Sequence, residues 1–89
     1  MLRYHVAFYL PPSTERMVVA KALDFPGAVT QGFGLADARD MIASAMEDLA
    51  RSCLDEGRPL PVPDPQAADP KADLIELVPL SVTVGTAWP

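Results

Sequence analysis

From Leu35 to Cys53 the apolar residues Leu35, Ala38, Ile42, Ala45, Met46, Leu49 and Cys53 recur at spacings of three and four, with Met41 at the margin. That period lays a stripe along one side of a helix and leaves Asp37, Asp40, Glu47, Asp48, Asp55 and Glu56 on the other. A stripe of this length must be covered by another layer. Gly34 falls at the N-cap position, and Gly57, followed by Pro59, supplies the stop, so the spacing predicts a helix over 35–56.

The residues ahead of the helix supply the covering layer. Leu2, Tyr4, Val6, Phe8 and Leu10 alternate with Arg3, His5, Ala7 and Tyr9, the period of a half-buried strand. Pro11 and Pro12 stop it, and Ser13 to Glu15 have turn chemistry. Arg16 to Leu23 is short and carries the β-branched pair Val18 and Val19, and predicts a second strand pairing back on the first. Asp24 to Gly27 then reverses the chain: Pro26 fixes its own φ and biases Phe25 to an extended shape, while Gly27 can adopt positive φ. Ala28 to Gln31 is predicted as a third strand.

Beyond the helix, residues 58–73 hold five of the ten prolines, four of them at alternate positions from Pro59 to Pro65. Such a segment runs extended and semi-rigid over a surface. Residues 74–84 return to strand character. Pro79 makes Leu74 to Val78 an edge strand or breaks it there, with Ser81 to Val84 as a second short piece. The expectation is one α+β domain over residues 1–89, an antiparallel β-β-β-α-β meander with one long helix packed on the sheet.

A chain of 89 residues buries only about 60 to 65% of its unfolded surface. Half of this one is hydrophobic (49%), more apolar material than a small core hides, so an interface in a homodimer or higher homo-oligomer is expected to cover the surplus. The net charge of −5, with seven Lys and Arg scattered singly, disfavours direct nucleic-acid binding and suits a basic partner. A single cysteine forms no intrachain disulfide, and no apolar run is long enough to cross a membrane. A cytoplasmic protein is the simplest inference.

The chemistry-bearing residues are sparse. His5 is the only histidine and is expected as a partly exposed strand residue, with no serine or cysteine spaced as its nucleophile. Cys53 lies on the apolar stripe and is expected in the core, as are Met17, Met41 and Met46. Asp24 is expected to hydrogen-bond backbone at its turn. No stretch has the Lys and Ser/Thr of a phosphate-binding loop. The outward acidic side of the helix, with Asp37, Asp40, Glu47 and Asp48 as candidate contacts, is the electrostatic feature with functional promise, as a docking surface for a basic partner.

The order of these elements, with Asp24, Pro26 and Gly27, then Thr30 and Gly32, then Glu56, Gly57, Pro59, Leu60 and Pro61, resembles the signature of the HicB-like antitoxin family. There a strand enters a PDLPG-like turn, a second strand ends on T-x-G, and a helix closes on E-x-G-x-P-[IL]-P. The likeness spans Leu2 to Val78 and is strongest from Leu23 to Pro63. It implies a truncated ribonuclease-H-like fold and an antitoxin that occludes a small basic HicA-like toxin, a messenger-RNA-cleaving partner that carries the catalytic histidine itself. No enzymatic activity, metal or cofactor is implied for the antitoxin. Ribonuclease H chemistry would need carboxylates clustered on strands, and Leu2 to Leu10 and Arg16 to Leu23 have none. Ala28, Phe33 and Gly34 depart from the family pattern. Many members continue into an operator-binding segment, for which 89 residues leave no room, so direct DNA binding is not expected. The alternative expectation is a stand-alone homo-oligomeric module without a toxin.

Overall fold

A computed structural model describes residues 2–12 and 16–81 of the chain. Strand β1 (Arg3–Tyr9) pairs antiparallel with β2 (Met17–Ala22), and β2 with β3 (Val29–Phe33). Helix α1 (Gly34–Asp55) follows, and β4 (Leu74–Pro79) returns antiparallel to the far side of β1. The result is an α+β fold with a four-stranded antiparallel sheet of order β3-β2-β1-β4.

Alternation decides which side of the sheet is core. Tyr4, Val6 and Phe8 of β1, Val18 and Ala20 of β2, and Gly32 of β3 turn inward and are buried. They meet Ala38, Ile42, Met46 and Ala50, the buried stripe of α1. The Tyr4 and Phe25 rings stack edge to face with centroids 4.9 Å apart, a favoured aromatic geometry. Gly32 is where helix and sheet come closest: a Cβ there would lie 2.6 Å from the Ala38 amide nitrogen. Only hydrogen fits that gap. Arg39 reaches off the helix to grip Glu76 of β4 with paired hydrogen bonds of 2.8 and 2.6 Å, which fixes the edge strand to the helix layer.

The turns behave as their residues dictate. Gly27 has φ +89°, the left-handed conformation that the reversal requires. At the helix end, Arg58 donates to the Cys53 carbonyl (2.8 Å) and Gly57 to the Leu54 carbonyl (3.1 Å), the paired bonds of a Schellman stop.

Several boundaries differ from the sequence expectation. β3 runs on through Gly32 and Phe33 instead of ending at Gln31, because Gly32 is held between β2 and the helix. The helix therefore starts at Gly34, and Phe33, rather than Gly34, occupies the cap position. Phe33 has no side-chain oxygen to offer, and Asp37 accepts its amide instead (2.8 Å). Of the methionines expected in the core, Met46 is there. Met41 is 44% exposed, and Met17 sits half-buried on the sheet face away from the helix, since the pleat turns odd positions of β2 outward. Pro79 closes β4 at an outer edge, where its missing amide hydrogen costs no ladder bond. The strand piece expected beyond Ser81 falls on Val82 to Val84, outside the described residues.

Residues 58–73 do more than connect. Tyr4 Oη donates to the Pro61 carbonyl (2.7 Å) on the helix side of the sheet. The Asp64 amide then donates to Asp24 (3.0 Å), and Asp69 accepts from Tyr9 Oη on the opposite side. The segment thus rounds the sheet end and crosses the face away from α1. Ala7 faces that way between the two ties and is fully buried. Strand β1 is covered on both faces, by a helix on one and a proline-rich strap on the other.

Candidate functional site

Asp37, Asp40, Glu47 and Asp48 share the outward side of α1, opposite Ala38, Ile42, Met46 and Ala50. Their carboxylates are not equally free. Asp37 holds the Phe33 amide, and Glu47 is 2.9 Å from the Arg51 guanidinium, a partnership within the helix. Asp48 lies 3.8 Å from the same arginine with its side chain 77% exposed, and Asp40 and Asp55 are exposed. An approaching cation therefore meets Asp40, Asp48 and Asp55, with Arg51 already partnered in their midst. A solvated ion pair such as Glu47 with Arg51 contributes little to stability. The long-range field of the face is set by its excess negative charge.

Six residues of the sequence signature converge where α1 ends. Asp24, Pro26 and Gly27 form the reversal, Gly57 stops the helix, and Pro59 and Pro61 begin the strap. Between them opens an apolar cleft of about 490 Å³, lined by Phe25, Pro26, Leu49, Cys53, Pro59 and Leu60. Cys53 is buried, as its place on the stripe predicts. Thr30 and Gly32 lie apart on β3, the latter beneath the helix start.

Asp24 organises this end of the molecule. Its carboxylate accepts three hydrogen bonds: the His5 amide (2.8 Å), His5 Nδ1 (2.8 Å) and the Asp64 amide (3.0 Å). Burial pushes this carboxyl up, but the bonds from the His5 ring and the Asp64 and His5 amides outweigh it, so it stays below its ordinary value. Asp24 was expected to bond neighbouring backbone at its turn; the amides it accepts, those of His5 and Asp64, are instead remote in sequence. His5, expected to be partly exposed, is 19% exposed at its side chain and partnered. One signal could have found the pair: the only histidine lies on a strand adjoining the arm that ends at the reversal.

The strap is anchored by two further carboxylates. Asp69 is held below the usual carboxylate range mainly by the Tyr9 hydroxyl, helped by the Lys71 amide, and Tyr9 is pushed up to about 12 by the same contact. Asp73 accepts the Leu10 amide (2.7 Å). These acids are used for positioning. Among the described residues, no three His, Cys, Asp or Glu side chains converge as metal ligands. No helix of the described residues is long and apolar enough to cross a membrane. The chain matches no protein-family model and no curated protein.

The remaining surface feature is the sheet face beside the strap. Val19, Val29 and Phe33 are exposed on one flank, Phe33 to 74%, and Ile75 and Leu77 on the other. None of the outward residues of the four strands is acidic. The strands' outward side chains are thus apolar or basic, with Arg3 and Lys21, and the carboxylates on this side of the sheet belong to the strap.

Proposed function

We propose that the chain is a HicB-like antitoxin with a partial ribonuclease-H-like fold, neutralising a small basic HicA-like mRNA-cleaving toxin by direct binding. It acts by shape and charge, without metal, cofactor or bond-breaking chemistry of its own. The observation that carries this reading is the outward face of α1, where Asp40, Asp48 and Asp55 stand exposed on a rigid 22-residue helix anchored along its whole length. Such a surface attracts a basic partner and fixes its orientation. The signature residues support the same reading, since they build the turn, helix stop and strap that hold this helix in place.

The test is co-expression with a short basic protein encoded beside this chain. Growth should be restored, and a stable complex should form whose association slows as salt rises. Exchanging Asp40, Asp48 and Asp55 for Lys should slow association while leaving the fold intact, because none of these side chains makes a structural hydrogen bond. Growth arrest that persists despite folded protein would reject the proposal. The exposed sheet face favours the second reading, a homo-oligomeric module that needs no toxin, if no such partner exists.

A further inference from the structure

The outer edge of β3 has a hydrogen-bonding polarity that its neighbours fix. Ala22 donates to the Ala28 carbonyl and Gly34 to the Arg16 carbonyl, both at 2.9 Å, so the even-numbered residues of β3 are those bonded to β2. In an antiparallel ladder the alternate residues point the other way. Val29 and Gln31 therefore turn amide and carbonyl groups away from the sheet. Phe33 does the same, but its amide is taken by Asp37, which ends the free edge there.

We propose that a second copy of this chain pairs with that edge, β3 against β3, about a two-fold axis at Thr30. In this register Val29 of each copy exchanges both backbone hydrogen bonds with Gln31 of the other. Thr30 faces its own counterpart in the closer, non-hydrogen-bonded position. Four bonds form and one eight-stranded sheet results. The interface is isologous, so it closes on itself and generates no filament.

Three observations support a second copy as the occupant. The edge carries none of the devices that block pairing: β3 has no proline, no lysine and no carboxylate. β4, the other edge, has Pro79, and a two-fold there about Glu76 would set two carboxylates face to face.

On the sheet face, charge agrees as well, while Asp37 and Asp48 flank Met41 on the helix side. A chain of net charge −5 repels its own copy over most of its surface, yet the outward side of β2 and β3 presents Lys21 as its only charged group. Apolar groups that lack a cover gather around the same axis. Val19, Val29 and Phe33 lie on the outer face at 36%, 56% and 74% exposure.

Met41 covers the helix side. Arg39 points toward β4, and a residue two positions on lies across the helix axis, over β3. Gly32 meets Asp37 and Ala38 while Gly27 meets Leu49, so Thr30 is level with the turn of α1 between them, where Met41 is 44% exposed. Val29 and Phe33 on the outer face and Met41 on the helix side flank the new strand pair, while Val19 and Lys21 lie one strand further in, on β2.

Sedimentation equilibrium on the full chain should give twice the 9.6 kDa monomer mass. Gln31→Pro removes an outward donor without touching the β2 ladder, and Val29→Lys charges the face. Each should raise the dimer dissociation constant at least about tenfold while keeping the helical circular dichroism signal. Leu77→Lys, on the β4 edge, should leave it unchanged. Thr30→Cys should form a disulfide-linked dimer on oxidation, which the parent protein, with only buried Cys53, should not. This crosslink keeps the proposal testable if Gln31→Pro fails to fold. A monomeric parent would overturn it, as would a dimer that Leu77→Lys dissociates and Thr30→Cys does not capture.

Discussion

The two layers that cover β1 are held by different physics. On one face α1, seated over β3 and β2, buries its apolar stripe in one cluster with Val18 and Ala20 and with Tyr4, Val6 and Phe8 of β1, an attachment indifferent to direction. On the other, the strap lies across the sheet on a handful of hydrogen bonds to Asp24, Tyr9 and Leu10. The helix layer tolerates losing one methyl group at modest cost and fails when forced apart. The strap layer has no such reserve, because each tie is one geometry and one acceptor.

The sharpest way to break the helix layer is to enlarge Gly32. Gly32→Val puts a branched side chain where a Cβ already falls within 2.6 Å of the Ala38 backbone, so α1 must lift off β3. The loss should be about 3 kcal/mol or more by chemical denaturation, with a weakened near-ultraviolet signal. An unchanged midpoint would mean that helix and strand do not approach this closely.

Asp24→Ala should come next, at about 2 to 3 kcal/mol, since it leaves two amides and an imidazole nitrogen without their acceptor. Its signature differs from that of Gly32→Val: amide exchange should rise first at Asp64, with the stripe of α1 still protected. The same tie has a pH dependence. A carboxyl depressed in the folded state contributes stability fully present above its unfolded value of about 3.9, lost as pH falls through the lower folded value. Acid should therefore loosen the strap in the parent, and Asp24→Ala should flatten that part of the profile. Equal acid sensitivity in both proteins would assign the effect to other carboxyls.

The smallest effect belongs to the turn joining β2 and β3. Gly27→Ala has room for its methyl, with Leu49 Cδ1 at 3.8 Å, so the cost is conformational alone, about 1 kcal/mol for a side chain at φ +89°. A melting temperature equal to the parent's would refute the left-handed turn.

These contrasts follow how far apart the interacting residues are in sequence. The helix, its glycine stop, the reversal at Gly27 and the inward faces of β1 and β2 were legible because period and turn chemistry are written in adjacent residues. The boundary between β3 and α1 was not, since Gly32 belongs to the strand through a close approach that no local pattern encodes. The union of His5 with Asp24 and Asp64 was hidden for the same reason: it joins residues 19 and 40 positions from Asp24. The acidic side of α1 was visible as a pattern. Which of its carboxylates are already occupied, Asp37 by an amide and Glu47 by Arg51, emerges only when the neighbours are in place.

The register of β1 with β4, which joins Arg3 to Pro79, has a consequence for synthesis. A ribosome delivers β1, β2, β3 and α1 well before β4, so one side of β1 waits with unpaired backbone while the codons up to β4 are translated. During that interval the nascent polypeptide offers a sticky edge to its neighbours on the same message, and β4 is the strand that retires the hazard.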